Sequence, residues 1–413
     1  MSVLYYIAIK SYAFFILLAS PFNKKAGLWV AGRRNLLQKI KEAGLANTSA
    51  IWMHVSSLGE FEQGRPLLEE IRKKYPKYKI ILTFFSPSGY EIRKNYEGAD
   101  YIFYLPNDGP LNARRFIDTI QPEIAIFVKY DFWYFYMRYL NMKRIPVFLI
   151  SAVFRPGQLF FKWYGAWYRK LLTRFTHIFV QDKPSADLLK GIHYNSFDIA
   201  GDTRIDRVAG IALKSLPNSK VEAFKNEEPL IVVGSTWPQD EEILLHWYKG
   251  ISARWKLIIA PHNVEEDNIN RLCQNIGISY QLYSKFENKK TARSEARILI
   301  IDNIGLLSSL YRYADIAYIG GAFGKGLHNI LEPATFGIPV IFGPKYHKFS
   351  EAVAMVQCKA AFSVKNGQEL EHTLNELIHD EDKRKGAGIK ASVYVKTNEG
   401  ATQKVFQQIK KNL

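Results

Sequence analysis

The pattern of apolar and polar positions changes character along the chain. From Val3 to Phe22 the residues are apolar and aromatic, interrupted in mid-segment by Lys10 and Ser11. Beyond it, short apolar runs alternate with amphipathic helical periods, the signature of β-α-β units around a parallel sheet. The pattern predicts strands at Ile51–Val55, Ile80–Phe84, Tyr101–Tyr104, Ile124–Val128, Val147–Ile150 and Ile178–Val180. Helices fit between them: one from near Glu60 to Tyr75, one with Asp108 as N-cap and Pro110 in its first turn, and one behind Asp182. The rhythm pauses between Leu213 and Pro229, a polar stretch with two prolines and no apolar period, which reads as a linker. It resumes at Leu230–Val233, Lys256–Ile259, Ile298–Ile301, Ile316–Ile319 and Val340–Phe342. The expected organisation is an amino-terminal anchor (1–22), a doubly wound α/β domain (23–212), a linker (213–229) and a second doubly wound domain (230–413), the two domains facing one cleft. Ligands of such sheets sit beyond the carboxyl ends of the strands, so the loops after the strands are where chemistry is sought.

The first segment nearly reaches the about 20 apolar residues needed to cross a bilayer. Lys24, Lys25, Arg33 and Arg34 follow it and, by the positive-inside bias, hold the rest of the chain on the cytoplasmic side. A secretory signal is disfavoured, because no positive charge precedes the apolar run. A mid-segment Lys costs roughly 2.5 to 3.5 kcal/mol on insertion scales. A helix lying in the interface or docked on the body, with Lys10 snorkelling, therefore stands beside a spanning one.

Composition narrows the classes further. In 413 residues, 47% are hydrophobic, enough to bury sizeable cores and to exclude a disordered chain. Lys and Arg number 56 against 39 Asp and Glu, a formal charge of +17 that favours acidic partners: nucleic acid, phosphorylated substrates or an anionic membrane. The two cysteines, Cys273 and Cys358, have no metal-binding or redox spacing, which disfavours disulfide frameworks and zinc modules. Asp380-Glu381-Asp382 runs into Lys383, Arg384 and Lys385 and reads as a solvated helix face, and no metal is expected. The interleaved aromatic and basic residues from Phe154 to Phe175 read either as core aromatics with solvated bases or as a lipid-facing surface.

Four post-strand loops carry candidate chemistry. In His54-Val55-Ser56-Ser57-Leu58-Gly59-Glu60, a carboxylate at a strand-to-helix turn reads either as a general base or as an acidic residue set against the helix dipole. Val233-Gly234-Ser235-Thr236 offers two hydroxyls at a helix start, suited to phosphate or to ordinary capping. Pro261 and His262 end the next strand, where they could meet a base or ribose. The densest stretch runs from Gly320 and Gly321 through Lys325 to His328-Asn329-Ile330-Leu331-Glu332-Pro333. Four glycines there are expected to leave backbone N–H groups exposed, and Glu332 to accept from a ribose diol. Neither a P-loop spacing nor a dinucleotide fingerprint is present.

Taken together, the chain resembles the Kdo transferases, glycosyltransferases that move 3-deoxy-D-manno-octulosonic acid (Kdo) from CMP-Kdo to a lipid A precursor. The resemblance rests on His54–Glu60, which reads H-x-x-S-x-G-E in this chain and is similar to the family's first loop motif, and His328–Pro333, similar to its H-N-x-L-E-P motif. It implies a GT-B fold of two Rossmann-like domains, with the acceptor lipid on the first half and CMP on the second. It implies inverting transfer at the cytoplasmic face of the inner membrane, in lipopolysaccharide synthesis, with no cofactor and no nucleic-acid partner. By position, Glu60 is the implied general base and Arg204 the group that stabilises developing charge, where the family usually has Lys. Pro261, His262, Gly305, Leu306, Leu307 and Asn329 to Glu332 are implied to line the CMP site. The chain departs from the family in having His262 where Arg is usual. It also has Lys129-Tyr130-Asp131-Phe132-Trp133 where the family has E-x-E-x-W, which leaves Asp131 for the second acidic role. Two alternatives remain at this level: a nucleotide-sugar epimerase of the same architecture, and a non-enzymatic basic membrane-bound protein.

Overall fold

Among the described residues, parallel β-α-β winding forms two sheets of seven strands. The computed structural model describes residues 1–45, 48–214, 216–250, 255–286, 296–324 and 326–413. Within it, Met1–Asp206 and Glu399–Leu413 make one unit and Arg207–Asn398 the other.

The first unit contains β1 (Ala50–Val55), β2 (Lys79–Phe84), β3 (Tyr101–Tyr104), β4 (Pro122–Val128), β5 (Val147–Ala152), β6 (His177–Val180) and β7 (Phe197–Ile199), in the order β3-β2-β1-β4-β5-β6-β7. Side chains alternate across this sheet with period two. Trp52, Ala125 and Phe127 join one apolar layer with Phe116, Ile120 and Tyr136, while Ile51, Met53, Ile124 and Ile126 join the opposite layer with Phe61, Leu67 and Ile71. Both faces are covered, as a parallel sheet requires. The second unit contains β8 (Leu230–Thr236), β9 (Lys256–Pro261), β10 (Tyr280–Leu282), β11 (Ile298–Ile300), β12 (Ile316–Ile319), β13 (Val340–Phe342) and β14 (Ala361–Ser363), in the order β10-β11-β9-β8-β12-β13-β14. In each sheet the winding reverses once, between β1 and β4 and between β8 and β12. Those are the crevices where ligands of such sheets bind.

The structure corrects several expectations. Residues 399–413 do not continue the second domain: the helix Ala401–Ile409 buries Val405, Phe406 and Ile409 in the first unit's core. The stretch read as a linker contains the helix Ser219–Lys225, capped by Asn218 and burying Val221 and Phe224, which is too short to show a period. Asp108 is not the cap of the helix Pro110–Ile120, whose N-cap is Gly109. Its buried carboxylate instead accepts the backbone N–H groups of Phe135 and Tyr136, each at 3.1 Å, and the Tyr5 hydroxyl at 2.7 Å.

The amino-terminal helix Ser2–Ala19 is 18 residues long, with a mean hydropathy of 1.7, so length and composition suffice to cross a membrane. It is docked along the first unit by one face: Tyr5 packs on Tyr134, Tyr6 on Phe135 and Tyr12 on Phe85. Leu4, Ile7, Phe14, Phe15, Leu17 and Leu18 stay exposed. Arg33, expected among the flanking surface charges, is instead boxed by Trp29, Phe85 and Tyr104. Most of the Phe154–Phe175 aromatics are core, and Trp163 and Tyr164 form an exposed tip.

Candidate active site

In the first unit, the loops after β1 and β4 flank the switch point and bring Glu60 and Asp131 together. Glu60 lies in the first turn of the helix Leu58–Lys74, and Ser57 caps that helix reciprocally. Ser57 Oγ accepts the Glu60 N–H at 3.4 Å, and Glu60 Oε2 accepts the Ser57 N–H at 2.9 Å. The reading of Glu60 as an acidic residue set at the helix start is thus met. Burial raises its proton affinity, opposed by the Ser56 and Ser57 N–H groups and by Lys129. Asp131 is buried. Its Oδ1 accepts the Ser56 hydroxyl at 2.5 Å, and its proton affinity is pushed well up by burial and by the charge of Glu60. Among the described residues, Asp131 Oδ2 has no hydrogen-bond partner and lies 3.6 Å from His54 Nε2, which also lacks one. His54 is fully buried, its Nδ1 2.8 Å from Thr83 Oγ1, and burial together with the Arg33 charge lowers its pKa to about 3, so the ring is neutral. Lys129, closing β4, adopts a left-handed φ of 66°.

Arg204 stands at the start of the helix Thr203–Lys214, its guanidinium bound to the Asp202 carboxylate at 2.9 Å through Nε and 2.5 Å through Nη2. An apolar groove of ≈ 290 Å³ lies beside the acidic loops, lined by Tyr12, Ile16, Ala19, Trp29, Phe85 and Pro87, with Asn23 and Lys25 at its polar edge. Phe85 packs on Trp133 at 4.8 Å, and Ser86 N–H donates to the Ser56 carbonyl at 2.8 Å, which joins this groove to the loops carrying the carboxylates.

In the second unit, Ser235 interrupts the β8–β9 register with a left-handed φ of 54°. Ser151 does the same at the end of β5 in the first unit, with φ 53°. A strained non-glycine residue after a strand commonly marks a site. Thr236 is buried and its hydroxyl donates to Glu241 at 2.9 Å, a structural role. Gly320 is compelled by space, since a Cβ would stand 2.5 Å from the Ser235 carbonyl oxygen. Gly321 has φ 93°.

The expected array of exposed glycine N–H groups is not what forms. Gly320 N–H donates to Gly234, Gly324 and Gly326 to Gly321, and Gly321 to the Asp240 carboxylate at 3.0 Å. Lys325 lies outside the described residues. Asp240, which the sequence reading missed, is the hub: it also accepts the Trp237 N–H at 2.9 Å and the Tyr318 hydroxyl at 2.8 Å. Its signal was present as an acidic residue in the first turn of a Pro-started helix. Pro261 is buried at the end of β9. His262 is exposed and sandwiched between Trp237, at 4.7 Å, and His328, at 4.5 Å. The Trp237 indole donates to His328 Nε2 at 3.1 Å. Burial and the neighbouring His262 lower the His328 pKa to about 4, keeping Nε2 an acceptor.

Leu307 packs within reach of Gly234, whereas Gly305 is exposed with φ 101° and Leu306 precedes the short helix Leu307–Leu310. Ile330 and Leu331 are buried core residues. Asn329 donates from Nδ2 to Glu332 Oε1 at 3.0 Å and accepts the Leu331 N–H at 3.1 Å. Glu332 is thereby oriented. Burial raises its proton affinity, while Asn329 and Arg207 oppose that.

A family model described as 3-deoxy-D-manno-octulosonic-acid transferase (kdotransferase) matches residues 31–207. The chain is 29% identical over 337 residues to the 3-deoxy-D-manno-octulosonic acid transferase of Aquifex aeolicus, covering 80% of this chain and 86% of the relative. It is 25% identical over 375 residues to that of Haemophilus influenzae, covering 87% of this chain and 86% of the relative. A solved UDP-GlcNAc 2-epimerase from Neisseria meningitidis, bound to UDP-GlcNAc, has a TM-score of 0.61 at 15% identity, covering 88% of this chain and 100% of the other, a likeness of fold alone. With these relatives spanning most of its length, the chain is similar to the Kdo transferases, a family of glycosyltransferases.

Proposed function

We propose that the protein transfers Kdo from CMP-Kdo to a lipid A precursor, lipid IVA, by direct displacement with inversion. The observation that carries this is Glu60, a half-buried carboxylate of raised proton affinity at the switch point of the first sheet. Glu60 takes the proton from a sugar hydroxyl of the acceptor as that oxygen attacks the anomeric carbon of Kdo. CMP leaves with one phosphate, whose charge Arg204 meets by giving up part of its pairing with Asp202. Ser235, Thr236, Pro261, His262, Gly305, Leu306, Leu307, Gly320, Gly321, Asn329, Ile330, Leu331 and Glu332 are assigned to the donor side. Ile330, Leu331 and Thr236 act there as packing and Glu332 as the ribose acceptor. The groove beside Phe85 suits an acyl chain of the acceptor. The exposed face of the helix Ser2–Ala19 suits the interface of an inner membrane, with the body on the cytoplasmic side.

The test uses Glu60→Gln, which can keep the capping bond and cannot take a proton. Transfer is expected to fall at least about a thousandfold while CMP-Kdo binding, measured calorimetrically, stays within about threefold. Full turnover by this variant would refute the assignment. Measuring CMP release with and without lipid acceptor separates transfer from epimerisation.

A further inference from the structure

Two orphaned polar atoms face each other beneath Glu60. Among the described residues, His54 Nε2 and Asp131 Oδ2 are both buried, both lack a hydrogen-bond partner and lie 3.6 Å apart, with the buried indole N–H of Trp133 close to the same carboxyl. Native interiors rarely leave two such atoms unmatched, and a single proton between them satisfies both. We propose that His54 and Asp131 form a positioning pair that shares one proton between Nε2 and Oδ2, holding Asp131 uncharged so that Glu60 alone carries the negative charge of the site. The inference rests on the reading of Glu60 as the base and extends it to what keeps that base ionised.

The surroundings decide where the proton sits. Two neighbouring carboxyls removed from water cannot both ionise cheaply, and the more deeply buried one keeps its proton. Asp131 is 5% exposed, whereas Glu60 is only half-buried, with the Ser57 N–H on Oε2 and the Lys129 charge near it. Tyr130, the other titratable neighbour of Glu60, is neutral, since burial raises its pKa.

On the opposite side, Trp52 Nε1–H donates to Thr83 Oγ1 at 2.8 Å. Thr83 Oγ1 keeps a second lone pair for His54 Nδ1–H, 2.8 Å away. That tautomer leaves Nε2 as an acceptor, the correct partner for an Asp131 hydroxyl. Arg33 faces His54 with a positive charge and opposes formation of imidazolium, so the proton stays on the carboxyl side. Ser56 Oγ–H fixes the other oxygen, Oδ1. Ser56, Asp131 and His54 thus donate in turn toward Thr83 Oγ1, which also accepts the Trp52 indole N–H, in a chain that links the β1–β2 ladder to the loop that carries Glu60.

The first measurement uses the unmodified full chain in detergent, with labelled histidine and aspartate observed by NMR. The expected result is an Nδ1-protonated, non-titrating His54 and a protonated Asp131 carboxyl carbon from pH 5 to pH 7. An ionised Asp131 in that range, or an Nε2-protonated His54, overturns the proposal whatever reaction the protein catalyses. The second measurement is kcat/KM against pH for Asp131→Asn. Because Asn is neutral as the shared-proton Asp131 is, the rate falls but the acid limb stays within about half a unit of the parent's. A downward displacement of about one unit or more would mean that a charge had been removed, and overturns it. His54→Gln, whose amide oxygen can stand in for Nε2, is expected to recover at least about tenfold in kcat over His54→Ala with unchanged KM for the donor. Equal loss in both would leave His54 a packing residue only. Should Glu60→Gln turn out active, the base assignment falls while the NMR result stands or fails separately.

Discussion

Asp108 illustrates how a single buried residue ties function-bearing segments together. Its carboxylate receives the first turn of the helix Tyr134–Met142 and the Tyr5 hydroxyl of the amino-terminal helix, and burial raises its pKa to about 6. An unfolded Asp titrates near 3.9, so between about pH 4 and 6 the folded chain binds the proton more tightly than the unfolded one. The contribution of this group is therefore greatest in acid and declines as pH rises through about 6. Against Asp108→Asn, which cannot titrate, the parent should gain about 2 kcal/mol of relative unfolding free energy on going from pH 7 to pH 4. Denaturant titrations of both chains at several pH values measure it, and a relative loss in acid would contradict the burial argument. No sequence rule separates this Asp108 from a helix cap, because a Pro two residues on fits both. Glu60 and Glu332 stand in segments that follow strands, where sequence alone can mark them as candidates, whereas Asp240 and His54 make their contacts with partners 78 and 29 residues away.

Among elements, the buried strands announced themselves and three of the four edge strands did not. Eleven of the strands were anticipated to within about three residues at each end, since both-face burial writes them as unbroken apolar runs. The unanticipated ones, β7, β10 and β14, are three residues long and lie at sheet edges, where polar residues are admitted and no run can build up. The amino-terminal helix was legible as an apolar segment but not in its placement. What decides that is the set Tyr5, Tyr6 and Tyr12, which share one side and meet aromatics of the first unit. The opposite side, with Phe15 and Leu18 more than half exposed, is left for the lipid interface. Phe15→Glu combined with Leu18→Glu should lower partitioning into anionic vesicles at least about tenfold, with thermal stability of the first unit preserved. Raising salt should weaken binding further, through the chain's excess of +17. Vesicle flotation and melting curves test both, and unaltered partitioning would remove this face from the membrane contact.

At the scale of the whole molecule, the chain leaves the first unit after Asp206 and returns to it after Asn398. The return is secured at both levels of interaction. The Asp206 carboxylate accepts the N–H groups of Gly400 and Thr402, each at 2.6 Å, where Gly400 takes a φ of 96° that a side chain would strain. Beyond it, Val405, Phe406 and Ile409 complete the apolar layer formed by Phe61, Leu67, Leu68 and Ile71. Removing one such side chain typically costs about 2 to 4 kcal/mol, and whole domains are stable by only about 5 to 15. A chain ending at Asn398 should therefore lose the first unit while the second, which keeps its own core, survives. Limited proteolysis should cut first within 48–206 and leave a resistant fragment from the second unit, and addition of a peptide spanning 399–413 should restore protection of the first. Equal resistance of both units in the shortened chain would show that the closing helix contributes little. The sequence could not announce this return, because a nine-residue amphipathic helix carries no mark of which sheet it will cover. Only the match between its apolar stripe and the uncovered face of β1 and its neighbours makes that choice, and that match exists in three dimensions alone.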